Sequence, residues 1–124
     1  MTAAPSPIRP PVEIAYLVEA LGEAGALRLI EEAGGTRVYV PHDPNQASTL
    51  ARHVGLEGAK ALAKIRPVSW IKVPLARDWR IKLYHAQGMT YSAIARKLGM
   101  TESAVHRHLQ AAGRTTAQTD LFPA

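Results

Sequence analysis

The chain has 124 residues, 15 Lys+Arg against 10 Asp+Glu and no cysteine, which limits it to one domain or two very small ones and excludes disulfide frameworks, thiol catalysis and Cys-type zinc sites. Apolar residues make up 47% and aromatics only 6%, so the chain is too apolar to be disordered and its core must be built from Leu, Ile, Val and Ala, which favours helices. Charge is uneven, with three arginines against six acids in residues 1–51 and twelve bases against four acids in residues 52–124, so one half is suited to a polyanion.

Residues 1–11 contain Pro5, Pro7, Pro10 and Pro11 and form a stiff arm without a packable pattern. They hold no hydrophobic signal core, and no apolar run nears the roughly 20 residues that cross a bilayer. A cytoplasmic protein is the expectation.

Ile14, Leu17, Val18 and Leu21 then fall on one stripe of a helix, with Gly22 placed to stop it in a left-handed turn. A second stripe follows at Ala26, Leu29, Ile30 and Ala33, ended by Gly34-Gly35. Thr36 to Val40 is β-branched and aromatic and reads as a short strand closed by Pro41. The same order recurs: Ala47, Leu50, Ala51 and Val54 form a stripe, Gly55 stops it, and Ala59, Leu62 and Ala63 form the next. Ser69 to Val73 reads as a second strand closed by Pro74. A shift of 33 residues superimposes the units without a gap: Leu17 meets Leu50, Gly22 meets Gly55, Gly25 meets Gly58, Leu29 meets Leu62 and Pro41 meets Pro74. Two glycines and a proline in register mark an internal duplication. In the second copy Arg66-Pro67-Val68 takes the place of the Gly-Gly that ends the first, and its helix must end by Ile65 or Arg66, since the residue before a proline avoids helical geometry.

Neither unit is stable alone, because a single short strand has no partner. Antiparallel pairing of residues 36–40 with 69–73 solves this, through Arg37, Val38, Tyr39 and Val40 on one strand and Trp70, Ile71 and Val73 on the other. The pairing can form inside one chain or between two. Acidic polar positions in the first copy and basic ones in the second favour their contact, weakly.

From Leu75 onward the pattern changes to three short helices. Arg77 to Gln87 is the first, with Ile81, Leu83 and Tyr84 inward and Gly88 as its stop. Thr90 caps the second, Tyr91 to Leu98, which buries Ile94, Ala95 and Leu98. Gly99-Met100-Thr101 makes the turn into a third helix from about Glu102 to Ala111, with Val105 and Leu109 inward and Gly113 as its end. Small Ala95 where two helices cross, Gly99 four residues on and Val105 six later define a helix-turn-helix.

In that geometry the third helix enters the major groove with its N-terminal residues toward base edges. Thr101, Glu102, Ser103, His106, Arg107 and Gln110 are the expected base contacts. Arg107 can donate twice to a guanine, Gln110 can pair with adenine, and Glu102 can accept from a cytosine amine. Glu102 is equally suited to be only a helix-start residue favoured by the macrodipole. Arg77, Arg80, Lys82, Arg96, Lys97 and Arg114 suit phosphates. His106 and His108, two apart on a helix, point to different faces and do not share a metal readily. No catalytic array, phosphate-binding loop, metal site or cofactor site is visible, so a non-enzymatic protein is expected.

The stretch L-G-E-A-G-A-L-R-L-I-E-E-A-G-G-T-R-V-Y-V-P, Leu21 to Pro41, followed by a C-terminal helix-turn-helix, resembles the Mor/C family of phage transcription activators. The resemblance covers Val12 to about Gly113, although the second copy lacks the Gly-Gly. It implies strand-paired dimerisation through the helix–helix–strand region, a homodimer on an interrupted inverted repeat near a promoter, and recruitment of host RNA polymerase. Two other classes stand beside it: a helix-turn-helix DNA-recognition subunit of a phage packaging or recombination machine, and a protein-binding helical bundle without salt-sensitive DNA affinity.

The tail, residues 114–124, is polar and reads as flexible until Gln118-Thr119-Asp120-Leu121-Phe122. That segment resembles the peptides by which bacterial proteins dock on the replication sliding clamp, where Gln118 would make polar contacts and Leu121 and Phe122 would fill apolar pockets. Thr119 stands where leucine is commoner. Alternatively, Leu121 and Phe122 fold back on the protein's own helices or a dimer partner. The expected fold class is mainly α: a duplicated helix–helix–strand unit over 12–74 (repeats 12–41 and 45–74) with a two-stranded β-ribbon, then a helix-turn-helix domain over 75–113.

Overall fold

The computed structural model describes the backbone of residues 8–121 and the side chains of residues 8–111. The chain divides into two compact units, Pro10–Ala76 and a second built on the three helices that follow. The architecture is mainly helical with one small antiparallel sheet, as the patterning requires.

In the first unit a 3-10 turn, Val12–Ile14, leads into α1 (Ala15–Ala33), β1 (Thr36–Val40), α2 (Thr49–Ile65) and β2 (Ser69–Val73). Each helix contains a corner at a repeat-equivalent glycine: Gly22 has φ 78° and ψ 166°, and Gly55 has φ 79° and ψ 163°. This is not the left-handed helical stop expected for Gly22 and Gly55. The extended ψ turns the chain and lets a new helix begin at once, in a region of backbone space open essentially to glycine alone. A Cβ would meet nothing within 4 Å at either corner, so the backbone and not packing demands the residue.

The copies differ at their ends. Ala47, expected on the first stripe of the second copy, is exposed and precedes α2. Asn45 Oδ1 accepts from the Ala47 N–H at 2.8 Å and Ser48 Oγ accepts from the Asn45 N–H at 3.1 Å, a local turn that competes with helix. At the other end, α1 closes with the Gly34 N–H on Ile30 O, whereas α2 stops at Ile65 ahead of Pro67.

β1 and β2 pair antiparallel within the chain, with Val38 opposite Ile71, Tyr39 opposite Trp70 and Arg37 opposite Lys72. Val38, Val40, Ile71 and Val73 turn inward and join Ile14, Leu17, Leu29, Ile30, Leu50 and Leu62 in the core. Arg37, Tyr39 and Trp70 face solvent on the other side of the ribbon, with the Tyr39 and Trp70 rings 5.3 Å apart. Period-two alternation separates the two sets.

Two contacts tie the copies together at the rim. His53 Nδ1 donates to Glu32 Oε1 at 2.8 Å, and Arg28 reaches the same carboxylate at 3.0 Å. The His53 hydrogen bond, followed by that from Arg28, holds the Glu32 carboxyl below its usual range. The Arg66 guanidinium lies 4.3 Å from the Tyr16 ring centre.

Val68 stands where the first copy has Gly35. Gly35 has φ 85°, and Val68 keeps a positive φ of 51° despite its branched side chain. A left-handed conformation costs an L-residue roughly 1–2 kcal/mol, while glycine adds roughly 0.5–1 kcal/mol of unfolded-state entropy. Val68 is also largely exposed, so little packing is lost. Val68→Gly is therefore expected to raise the denaturant midpoint of the first unit slightly, and a lowered midpoint would show that the valine is not strained.

Candidate nucleic-acid interface

The second unit comprises α3 (Arg77–Ala86), α4 (Tyr91–Leu98) and α5 (Glu102–Leu121). Each joint is set by local chemistry. Gly88, at φ 93°, ends the first helix region, and the Met89 N–H donates back to Tyr84 O at 3.0 Å. Thr90 is extended and its Oγ1 accepts from the Ala93 N–H at 3.1 Å, an N-cap for α4. Gly99 is left-handed at φ 66° and ψ 38°, and the next amide, Met100 N–H, donates to Ala95 O at 2.9 Å. Thr101 Oγ1 then caps α5 by accepting from the Ala104 N–H at 3.1 Å. Ile94, Ala95, Leu98 and Val105 are buried where the helices cross, and Leu109 is half-buried. These are the constrained positions of a helix-turn-helix, with α5 as its recognition helix.

α5 continues to Leu121, past the stop expected at Gly113 and into the segment expected to be a flexible tail. Glycine inside a helix costs about 1 kcal/mol relative to alanine but does not end it. The clamp-type reading of Gln118, Leu121 and Phe122 falls on side chains outside the described residues, as does the side chain of Arg114.

Thr101, Glu102, Ser103, His106, Arg107 and Gln110 are all exposed on the first turns of α5. Spacings of three and four residues place Glu102 with His106, Ser103 with Arg107, and His106 with Gln110 on one broad face. His106 stacks obliquely on Tyr91, with ring centres 5.6 Å apart, and His85 flanks Tyr91 on its other contact at 5.7 Å. His108 turns to a different face, where its Nδ1 donates to Asp78 Oδ1 at 3.2 Å.

The expected phosphate contacts divide. Arg77, Arg96 and Lys97 are exposed, and Lys97 Nζ lies 5.4 Å from the Tyr84 ring centre. Lys82 is engaged by Asp78 Oδ2 at 2.8 Å. Arg80 differs from the others: it is 8% exposed, and its Nε donates to the Tyr84 hydroxyl at 3.2 Å. Its guanidinium braces Tyr84 and does not reach outward. The residue type carried no sign of this, although Tyr84 stands four residues on, where two side chains of a helix meet.

Sequence reasoning also missed Trp79 and Asp78. Trp79, 2% exposed, is the largest core residue of this unit, and its Nε1 has no hydrogen-bond partner. Its position four residues before Leu83 was the available signal. Asp78 joins the first turn of α3 to α5 through His108, a partner thirty residues away that no local pattern shows. Partial burial pushes the Asp78 carboxyl up, but hydrogen bonds from Lys82 and His108, with their charges, outweigh it and the net shift is downward. A depressed folded value means that Asp78 contributes its stability above its ordinary value of 3.8 and loses it as pH falls through the lower folded value. The expected result is a denaturant midpoint for this unit that drops only on the acid limb, and a smaller drop in Asp78→Asn. Equal pH profiles for the two proteins would count against the anchoring role.

Among the described residues, no helix is long and apolar enough to cross a membrane, and no group of three or more His, Asp or Glu could hold a metal ion. Residues 81–114 match the family model for sigma-70, region 4. With its capped turn, its buried crossing and this match, the second unit is a helix-turn-helix DNA-binding domain of transcription-related function. The matched segment is well under half of the chain, so the match describes this module and not the protein as a whole. Comparisons with curated proteins and with solved structures find no match.

Proposed function

We propose that the protein is a sequence-specific transcription regulator that reads promoter DNA with α5. The observation that carries this is the exposed face of Thr101, Glu102, Ser103, His106, Arg107 and Gln110 at the start of a capped recognition helix. Arg77, Arg96 and Lys97 supply cations for phosphates around it. The sigma-70, region 4 match supports a role at promoters and contact with RNA polymerase. The Mor/C resemblance of Leu21 to Pro41 supports activation and a phage-type setting in the bacterial cytoplasm; the strand-paired homodimer that it also implies is met here by a pairing inside one chain.

Arg107→Ala tests the reading. Losing one bidentate base contact is expected to cost about 1–3 kcal/mol on the selected site and to relax preference at one base pair. Arg96→Ala, by contrast, should weaken all sequences alike and flatten the salt dependence by about one unit of slope. Fluorescence anisotropy on selected and scrambled duplexes separates the two. If Arg107→Ala binds both duplexes as the parent does, α5 is not the reading helix.

A further inference from the structure

The two copies of the first unit are arranged as two halves of a dimer. Their glycine corners have the same dihedral angles 33 residues apart. The central ribbon pair, Val38 opposite Ile71, is itself a pair of repeat-equivalent residues. The flanking pairs exchange under the same operation, since Thr36 opposite Val73 maps onto Ser69 opposite Val40. A two-fold axis through the Val38–Ile71 pair therefore relates the copies, as it would relate two separate chains in an isologous dimer.

Two side-chain contacts between the copies nevertheless occur once each. The Glu32–His53 bond has Ile65 and Ala20 at its symmetry-related positions, and the Arg66–Tyr16 stack has Ala33 and Thr49. None of those pairs can form an ion pair or a cation–π contact. Pairing of two first copies from different chains would set Glu32 against Ala20 and Tyr16 against Ala33, losing both contacts. The faces have diverged to recognise each other and not themselves. Tethering in one chain further favours the internal pair through its high effective concentration.

Each such internally paired platform carries one helix-turn-helix, α3 to α5. We infer that one chain binds one asymmetric duplex site, a single major-groove segment read by α5, and that the target is not an inverted repeat. This rests on the DNA-binding reading. A strand-paired dimer places two recognition helices on two half-sites about one helical turn or a multiple of it apart. Here the strand surface that would bring the second helix is spent inside the chain.

The experiment is selection from random duplex DNA with the full chain, followed by light scattering of the free protein and of its complex with the winning duplex. The expected result is a single-chain mass for the free protein, one chain per duplex, and an asymmetric motif of about one helical turn. A second probe carrying two inverted copies of that motif should fill both without cooperativity. A palindromic motif with two chains per duplex overturns the inference while leaving the DNA-binding reading intact, as does a free dimer formed by strand exchange that binds two half-sites together. Failure to enrich any sequence, with no salt-sensitive affinity, removes the DNA-binding reading and the inference with it.

Discussion

Trp79→Ala is expected to cost the helix-turn-helix unit about 3–5 kcal/mol, the usual penalty for emptying a large aromatic site in a core. Trp79 is 2% exposed on α3, and α3 packs against both α4 and α5. A small unit with a total stability near the low end of about 5–15 kcal/mol would lose most of its folded population. DNA binding should fall with it, although Trp79 is buried and away from the exposed face of α5. Trp79→Phe separates packing from polarity. The indole Nε1 has no hydrogen-bond partner, and a buried unsatisfied donor costs about 1–3 kcal/mol. Phenylalanine removes that donor along with part of the apolar area, so the two effects oppose each other and the net change should be small. Circular dichroism during chemical denaturation reads both variants. A Phe variant as damaged as the Ala variant would mean that Nε1 is satisfied in solution.

Ile71→Asp should unfold the first unit, while Trp70→Asp, one residue earlier, should leave it folded. Ile71 is 4% exposed at the centre of the ribbon, opposite Val38, whereas Trp70 is 64% exposed on the outer face. Replacing a buried isoleucine loses about 2–5 kcal/mol of packing, and a carboxylate buried opposite Val38 adds its own desolvation cost. At Trp70 the same charge stays in water beside Arg37, whose guanidinium lies 5.9 Å from the Trp70 ring centre. Thermal melts of the two variants decide the matter. Equal damage at both positions would mean that the outer face is covered in solution.

The internal duplication, the strand segments and the helix-turn-helix joints were legible in the residues themselves. Each depends on short-range geometry: glycine at repeat-equivalent corners, period-two alternation over five residues, and threonine three residues before the amide it caps. The exposed set on α5 was legible for the same reason, since helical periodicity and one buried Val105 orient the whole first turn. Local signals misled where a residue type has two uses. Gly22 and Gly113 both look like helix stops, yet one forms a corner within a longer element and the other lies inside a helix. Ala47 fits an apolar stripe, yet the Asn45 and Ser48 side chains hold its segment in a turn.

The sequence by itself determined the element types, the two-fold character of residues 12–74 and which residues at the start of α5 are exposed, because these follow from chain geometry over a few residues. Only the tertiary structure decided that Arg80 is withdrawn to Tyr84, that Asp78 reaches His108, and that Glu32 meets His53. It also decided which faces of the ribbon are buried against helices and which are left to solvent. The physical reason is that burial depends on what other elements bring alongside, even for an i, i+4 pair such as Arg80 and Tyr84, and that residues twenty or thirty positions apart leave no periodic trace of their meeting.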